Sequence, residues 1–199
     1  MRPRRHVVIM ARAPRLGTVK RRLARDVGAL AAWRFYRANL QTTLRRLARE
    51  RRWVTWLAVT PDAAARRFPA LPGRPCRIVP QGRGDLGRRM GRLVRTLPPG
   101  PVAIVGSDIP GLDAAHVAGA FRALGRADWV FGPAADGGYW LIGAARRRLP
   151  RDLFAGVRWS SAHALADTVA TLGAARIAYL EVLGDVDSGA DLARHGRKR

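Results

Sequence analysis

The sequence predicts an α/β fold in one domain, with a mostly parallel β-sheet. Short hydrophobic runs alternate along the chain with longer segments of helical spacing, which is the order that successive β-α units produce. The 199 residues suffice for one substantial core but fall short of two ordinary domains. A hydrophobic content of 48% with 26% charged residues is typical of a globular chain. We therefore expect residues 1–199 to fold as a single α/β domain.

Predicted strands are short segments rich in aliphatic and aromatic residues. They are residues 6–11, 53–60, 77–80, 102–106, 129–132, 139–142 and 176–180. Segment 102–106 reads VAIVG, and such a continuous apolar run is typical of a strand covered on both faces of a parallel sheet. We expect this strand to lie inside the sheet.

Predicted helices have apolar residues at helical spacing. They are residues 29–49, 86–97, 114–124 and 161–172. In the first of them, Leu30, Trp33, Tyr36 and Leu40 recur at this spacing, which predicts a long amphipathic helix with its tryptophan and tyrosine in the core. Ser161 stands at the start of the last one and predicts an N-cap there.

The remaining segments predict turns and a protein without a membrane anchor. Proline and glycine cluster at 69–75 and 98–101, where we expect surface turns inside the domain, and the basic tail 195–199 is expected to fray. No apolar run approaches the roughly 20 residues that span a bilayer, so neither a signal peptide nor a span is predicted. The single cysteine, Cys76, has no partner for a disulfide and is interpreted as a small apolar filler. We expect a cytoplasmic location, and the sequence does not define the oligomeric state.

Charge is the unusual feature of the composition. The chain has 37 Lys and Arg against 14 Asp and Glu, a formal net charge of +23, and its only lysines are Lys20 and Lys198. A field this positive favours anionic partners. However, the arginines are spread along the chain, as expected if codon bias placed arginine where other proteins use lysine or glutamate. We favour this second interpretation, because net charge concerns solubility and nonspecific binding rather than fold.

Ligands of an open α/β sheet bind beyond the carboxyl ends of its strands, so the loops after the predicted strands are the candidate sites. The first loop is a Pro/Gly turn that leads into a basic helix start, and it lacks the glycine spacing of a P-loop. A helix amino end with added cations suits a phosphate chain. We predict nucleotide-binding residues here, although a basic turn is common in an arginine-rich chain: Ala11, Arg12, Ala13, Gly17, Lys20 and Arg22.

The loop after the third predicted strand combines glycines with one carboxylate. Gln81, Gly82, Gly84 and Asp85 precede the second predicted helix, and glycines let a backbone approach a flat or anionic ligand closely. We predict that these four residues also bind the nucleotide. The alternative is a capped turn in which Asp85 serves as the N-cap of the helix.

Asp108 follows the apolar strand 102–106 and enters a Pro-Gly turn. A carboxylate in this place suits a hard cation such as Mg²⁺ or Mn²⁺, which binds one or two carboxylates together with substrate phosphate oxygens. The alternative is ordinary turn chemistry, in which aspartate is common.

Two later loops share this acidic pattern. Asp136, Gly137, Gly138 and Tyr139 lie between two predicted strands, where the glycines could face an acceptor or sugar, although a hairpin turn also explains them. Asp185 and Asp187 follow the last predicted strand, where a helix cap is the alternative. Taken together, five of the 14 acidic residues fall in predicted strand-end loops, namely Asp85, Asp108, Asp136, Asp185 and Asp187.

Six segments in this order resemble a bacterial family of small GT-A type glycosyltransferases associated with arsenosugar biosynthesis. They are 11–23, 81–90, 106–112, 131–143, 157–161 and 185–192 and span nearly the whole chain. The family is similar to nucleotide-diphospho-sugar transferases and to the phospholactate and molybdenum-cofactor guanylyltransferases. The resemblance implies a Rossmann-like three-layer α/β/α sandwich of the nucleotide-diphospho-sugar transferase (GT-A) type, with metal-assisted transfer from a nucleotide donor.

The resemblance also implies roles by position. Loop 13–22 would meet the donor phosphates, with Lys20 as their point-charge partner, and Asp108 would be a metal ligand with Asp187 as the candidate second one. Asp136 and the two glycines after it would face the transferred group or the acceptor.

Two positions depart from the family pattern. Arg21 stands where the family usually has Thr, and Arg88 stands where it usually has Glu. If that Glu is catalytic, Arg88 alters activity. If it is a surface residue, drift in codon usage accounts for the change.

The leading hypothesis is a metal-dependent glycosyltransferase with a nucleoside-diphosphate sugar donor and a small-molecule acceptor. Mg²⁺ or Mn²⁺ on Asp108, helped by Lys20 and Arg22, would neutralise charge on the leaving diphosphate, and Asp136 would be the general base. A nucleotidyltransferase that uses GTP or CTP remains an alternative, because it would use the same loops. A nucleic-acid binding module is a third class, but the tryptophans occupy apolar patterns suited to a core, so no specific nucleic acid is expected.

Overall fold

The computed structural model describes residues 4–68 and 76–196. Within these residues, seven strands form one sheet: β1 His6–Arg12, β2 Val54–Thr60, β3 Arg77–Pro80, β4 Val102–Gly106, β5 Trp129–Pro133, β6 Tyr139–Ala144 and β7 Ile177–Tyr179. The helices are α1 Arg21–Val27, α2 Ala29–Ala48, α3 Asp62–Ala65, α4 Leu86–Thr96, α5 Ala114–Ala123, α6 Ala164–Ala170 and α7 Gly189–Gly196.

The sheet is mostly parallel, as predicted. Its strand order is β3-β2-β1-β4-β6-β5-β7, and β6 is antiparallel to both of its neighbours while the other pairings are parallel. Because β1, β2, β3 and β4 run in the same direction, their carboxyl ends meet at one edge, which we call the carboxyl edge. The loops that follow these strands therefore lie side by side at that edge.

Helices cover both faces of the sheet and bury its alternating side chains. One core packs α2 and α5 against side chains such as Ile9 of β1, and the other packs α4 against side chains such as Val8. The predicted inner strand β4 is buried on both faces, with Val102 to Val105 at most 3% exposed. The fold is thus the three-layer α/β/α sandwich that the family resemblance implies.

The tryptophans occupy the core rather than a surface. Trp53, Trp56 and Trp140 expose 6%, 7% and 2% of their area. Trp33 is partly buried against the core that contains α2 and α5, which we call the α2 core. A nucleic-acid binding module would instead present aromatic faces for stacking on bases. The burial of these side chains agrees with the prediction that they belong to the core.

The helix predicted over 161–172 is shorter than expected, and its predicted Ser161 cap is wrong. The helix α6 begins at Ala164 with His163 as N-cap and without a side-chain cap. Ser161 instead stabilises the preceding turn, where its Oγ donates to Arg158 O at 2.7 Å and accepts from His163 N–H at 3.2 Å. The sequence pattern predicted the apolar face of this helix, but it did not predict the turn at Ser161 that precedes its first residue, Ala164.

Several further predictions concern the connections. The helices α3 and α7 were not predicted, the turn predicted at 69–75 lies outside the described residues, and so does 197–199. The first residues of the tail predicted to fray, His195 and Gly196, belong to α7. Among the helices of the described ranges, none is both long and apolar enough to cross a membrane. Cys76 is half-buried, and burial raises the pKa of its thiol to about 11.

Candidate active site

Lys20, Asp108 and Asp187 meet at the carboxyl edge of the sheet. Lys20 Nζ donates to Asp108 Oδ2 at 3.1 Å and to Asp187 Oδ1 at 2.6 Å. Lys20 belongs to the loop after β1, Asp108 to the loop after β4, and Asp187 to the segment that follows β7. Three loops from distant parts of the sequence therefore converge on one point.

Asp185 completes an acidic cluster, which we define as Asp108, Asp185 and Asp187. Each contributes a carboxylate oxygen, and these oxygens lie within 4.8 Å of one another. Burial and the neighbouring charge of Asp187 raise the pKa of Asp185 to about 6, and Asp108 and Asp136 add smaller contributions in the same direction. Burial alone would lower the pKa of Lys20, but attraction by Asp108 and Asp187 raises it above its ordinary value. The ammonium therefore stays charged among the carboxylates.

The backbone around Lys20 fixes its side chain in this cluster. Val19 before it is 5% exposed and packs in the α2 core, while Leu23 after it is fully buried. Lys20 itself adopts a left-handed conformation, with φ 46° and ψ 50°, as the N-cap of α1. Non-glycine residues seldom adopt this region unless their surroundings require it. Lys20 adopts it where the loop after β1 passes into α1.

A small apolar cluster places Asp185 and Asp187 beside α1. Val186 is 3% exposed and packs with Leu23 of α1 and Ala32 of α2. Asp185 and Asp187 flank Val186 in the chain, and their carboxylates belong to the acidic cluster while Val186 belongs to the apolar one. The segment continues into α7, whose first residue donates its N–H to Asp26 Oδ2 of α1 at 2.7 Å.

Asp191 holds the turn that follows Asp187. Its Oδ2 accepts from the N–H groups of Asp187 and Ser188 at 3.1 and 2.9 Å, and from Ser188 Oγ at 2.7 Å. These hydrogen bonds, led by the one from the Ser188 hydroxyl, lower the pKa of Asp191 to about 2. Asp191 therefore has a structural role in this turn, although it lies close in sequence to two members of the acidic cluster.

Side chains of α2 position the loop that carries Asp108. Asn39 Nδ2 donates to Ser107 O at 2.8 Å. The hydroxyl of Tyr36 accepts from Arg12 N–H and donates to Arg12 O, both at 2.9 Å, and lies 3.2 Å from Ser107 Oγ. The helix thus ties the carboxyl end of β1 to that of β4.

The loop after β3 reaches across β2 toward β1. Gln81 is 4% exposed, and its Nε2 donates to Ala11 O at 3.0 Å and to Ala58 O at 2.9 Å. The predicted nucleotide loops at 11–22 and 81–85 are therefore brought together by a buried side chain. Asp85 is the N-cap of α4, and its Oδ1 accepts a hydrogen bond from Arg88 N–H at 2.8 Å. The capped-turn alternative for Asp85 therefore describes its contact.

Asp136 and its glycines form the hairpin turn between β5 and β6. Asp136 is exposed, and its Oδ1 accepts from Gly138 N–H at 3.0 Å. Gly137 has φ 82°, and a Cβ at this position would lie 2.2 Å from Ala162 O, so only glycine fits. Gly137 O also accepts from Leu165 N–H at 3.0 Å. The segment before α6 therefore supports this turn from behind.

The remaining predicted residues differ in their exposure. Arg12 and Gly17 are exposed, Ala11 and Ala13 are buried, and Tyr139 is half-buried, with its hydroxyl 3.3 Å from Thr168 Oγ1. Arg22 Nη1 lies 3.5 Å from Asp187 Oδ2, with a side chain 76% exposed. Burial raises the pKa of the Tyr139 hydroxyl above its ordinary value.

Three residues of the site carry roles that were not predicted. Asp185 was noted as a strand-end aspartate but was not proposed as a metal ligand, and Tyr36 and Asn39 were interpreted only as part of a helix. The signal for Asp185 was its spacing of two residues from Asp187, which puts both side chains on one side of an extended segment. Tyr36 and Asn39 carried no signal beyond helical periodicity.

The fold and its similarity to a solved structure identify an enzyme of the transferase class. The chain belongs to the DUF2064 family, described as uncharacterized proteins conserved in bacteria, whose profile matches residues 43–161. A crystal structure from Desulfovibrio desulfuricans, provisionally assigned as a nucleotide-diphospho-sugar transferase, aligns with a TM-score of 0.89 at 30% identity. The alignment covers 98% of this chain and 87% of that one. No curated protein has a significant sequence match.

More distant structures share the same fold. The 4-diphosphocytidyl-2C-methyl-D-erythritol synthase of Anaerococcus prevotii aligns with a TM-score of 0.62 at 12% identity, over 99% of each chain. A Mycobacterium tuberculosis protein solved in complex with manganese aligns with a TM-score of 0.56 at 19% identity, over 98% of each chain. At these identities the likeness shows the fold.

Proposed function

We propose that the protein is a metal-dependent glycosyltransferase that moves a sugar from a nucleoside-diphosphate sugar to a small-molecule acceptor. The observation that carries this proposal is the meeting of three carboxylates with a buried lysine at the carboxyl edge, where α/β folds bind their ligands. The relative of 30% identity, assigned as a nucleotide-diphospho-sugar transferase, supports the same donor class.

The acidic cluster suits Mg²⁺ or Mn²⁺. It offers three carboxylate oxygens within 4.8 Å of one another, which are the hard ligands that these ions take. The cluster carries more negative than positive charge, because three carboxylates face one buried ammonium. The related fold solved with manganese agrees with this assignment. When bound, the ion would supply charge neutralisation to the diphosphate oxygens of the donor.

The loops around the cluster would hold the nucleotide. Lys20 and Arg22 would pair with the phosphates, and the loop regions 11–17 and 81–84 would line the nucleoside. Arginine and lysine are suited to phosphate recognition because both donate several charged hydrogen bonds. The hydrogen bonds of Gln81 support this arrangement, since they hold the two loops side by side through the protein's own side chain and backbone.

In the transfer, an acceptor hydroxyl oxygen would attack the anomeric carbon of the sugar and form the new glycosidic bond. The bond from that carbon to the diphosphate oxygen breaks, and the nucleoside diphosphate leaves with the electron pair. Asp136 would accept the hydroxyl proton, because its carboxylate is exposed in the turn between β5 and β6. Gly137 and Gly138 would let the acceptor or sugar approach the backbone.

Asp108→Asn tests the metal role. We expect this substitution to abolish Mn²⁺-dependent binding of nucleotide sugars in isothermal titration calorimetry, because it removes one of the carboxylates and leaves Lys20 with fewer partners. Asp152→Asn is the matched control, since Asp152 is exposed in the connection between β6 and α6. Unchanged nucleotide affinity in Asp108→Asn would remove the metal role.

A nucleotidyltransferase is the second candidate, supported by the shared fold with a 4-diphosphocytidyl-2C-methyl-D-erythritol synthase. Here an acceptor phosphate oxygen would attack the α-phosphorus of a nucleoside triphosphate and form a new phosphorus–oxygen bond. The bond from the α-phosphorus to the oxygen that bridges to the β-phosphorus would break, and pyrophosphate would leave. A thermal-shift screen with and without Mn²⁺ separates the two functions. Stabilisation grows with ligand concentration over the dissociation constant, so stabilisation by nucleotide sugars supports the first function and stabilisation by triphosphates alone supports the second.

A further inference from the structure

Lys20 donates a hydrogen bond to one oxygen of each of two carboxylates in the acidic cluster. Its ammonium lies 3.1 Å from Asp108 Oδ2 and 2.6 Å from Asp187 Oδ1. Its side chain is 6% exposed, whereas those of Asp108 and Asp187 are 39% and 38% exposed. The lysine is therefore enclosed while its two partners remain open to solvent.

This position differs from that of the other cation at the cluster. Arg22 contacts Asp187 Oδ2 at 3.5 Å from a side chain that is 76% exposed. An exposed pair of this kind contributes little, because water screens it. The ammonium of Lys20 interacts in a more enclosed place, where charges are felt more strongly. A divalent ion entering the cluster would therefore meet repulsion from Lys20 far more than from Arg22.

From these contacts we infer that Lys20 is a built-in counter-cation that keeps free divalent metal out of the acidic cluster until the phosphates of a nucleotide draw the ammonium away. The inference rests on the proposed function, in which the cluster holds the metal and Lys20 pairs with the phosphates. The backbone of Lys20 is fixed between buried Val19 and Leu23, whereas its four-carbon stem can turn between partners. Metal and nucleotide then bind as a coupled pair rather than independently.

A binding experiment without nucleotide tests this role. Mn²⁺ affinity would be measured by electron paramagnetic resonance for the wild type, Lys20→Met and Arg22→Met. Both variants lose one positive charge next to Asp187, but only the first removes the enclosed ammonium. We expect Lys20→Met to bind Mn²⁺ about tenfold more tightly or better, within the range usual for coupled sites, and Arg22→Met to change by less than about threefold.

The other outcomes overturn the inference in different ways. Equal Mn²⁺ affinity in Lys20→Met and the wild type would show that the lysine does not exclude metal, while loss of binding in Asp108→Asn would still support the metal site. An equal gain in both variants would show a general charge effect. If no variant binds Mn²⁺ without nucleotide, including Lys20→Met, the inference is wrong, whereas the proposed metal dependence fails only if Mn²⁺ also does not bind in the presence of a nucleotide sugar.

A measurement on the unaltered site covers the case in which Lys20→Met does not fold. Because the chain has only two lysines, Lys20 and Lys198, carbon-13 lysine labelling in a Lys198→Arg background leaves one lysine Cε signal. The Mg²⁺ concentration is one that saturates the site when inorganic pyrophosphate is also present. We expect Mg²⁺ alone at this concentration to leave the chemical shift of the Cε signal unchanged, and Mg²⁺ with inorganic pyrophosphate to change it. A full shift with Mg²⁺ alone would overturn the inference.

Discussion

Tyr36 shows how a single hydroxyl can hold two strand ends in register. It is 5% exposed, and its hydroxyl satisfies both backbone groups of Arg12 while lying beside Ser107, the neighbour of Asp108. Burial raises the pKa of this hydroxyl above its ordinary value, so it stays protonated and keeps donating. The residue therefore stabilises the geometry of the site without touching the acidic cluster.

Tyr36→Phe should destabilise the protein by about 1–3 kcal/mol, because the substitution removes two hydrogen bonds to the partly buried backbone of Arg12, each of which contributes about 0.5–1.5 kcal/mol. The free energy of unfolding from urea denaturation measures this effect. Tyr179→Phe is the matched control, since Tyr179 is 55% exposed and surface changes usually stay within about 0.5 kcal/mol. Equal stabilities of the two variants would contradict the role assigned to the Tyr36 hydroxyl.

At the scale of elements, the contact between α1 and the segment 185–187 places two of the three carboxylates of the acidic cluster. Val186 packs on Leu23 and Ala32, and this packing places the segment that carries the two aspartates beside α1. The apolar cluster and the site should therefore weaken together when the packing is disturbed.

Leu23→Ala should cost about 2–5 kcal/mol of unfolding free energy, since Leu23 is fully buried. It should also weaken Mn²⁺ binding in the presence of pyrophosphate, measured by calorimetry at a temperature where the variant is folded. Leu93→Ala is the matched control, because Leu93 of α4 is 4% exposed in the core on the other face of the sheet. A similar loss of Mn²⁺ affinity in both variants would point to general destabilisation instead.

The elements that could be predicted from sequence are those whose own residues carry the signal. The strand β4 is apolar along its length, and α2 repeats its apolar residues over 20 positions, so both were predicted within a few residues. The helix α3 has only four residues, which is too short for periodicity to appear. The start of α6 depends on hydrogen bonds of Ser161 within a preceding turn, which composition does not reveal.

The candidate site was predictable in part for the same reason. Strand-end aspartates such as Asp108 follow from the rule that ligands bind at the carboxyl edge. The role of Asp185 depends on the docking of Val186 against α1, and these two parts lie far apart in sequence. Asp85 carried the same local signal as Asp108, but its carboxylate is used by α4.

For the whole molecule, the net charge of +23 acts on groups far from the site. His6 is 2% exposed at the amino-terminal edge of the sheet, where its Nδ1 accepts from Trp56 Nε1 at 3.2 Å. Burial lowers the pKa of His6, and the charges of Arg146, Arg77 and Arg4 lower it further. The folded protein therefore keeps this imidazole neutral below the pH at which the unfolded chain binds a proton.

Stability should therefore fall as the pH drops below about 6.5, the ordinary histidine pKa, until the lowered pKa of His6 is reached. His6→Asn retains an acceptor for Trp56 but does not titrate, so its unfolding free energy should decline less between about pH 7.5 and 5.5 than that of the wild type. Urea denaturation at both pH values measures the difference. His163→Asn, at an exposed position, should decline like the wild type, and equal declines in all three proteins would exclude the role of His6.

The ion pair between Lys20 and Asp187 joins residues 167 positions apart. Ribosomes add about 5–20 residues per second, so roughly 10–30 s separate the synthesis of the lysine from that of this aspartate. During that interval, most of the sheet can already assemble on the nascent chain, but the chain lacks two of the three carboxylates. A newly made molecule therefore completes the acidic cluster only after residues 185–187 have been synthesised.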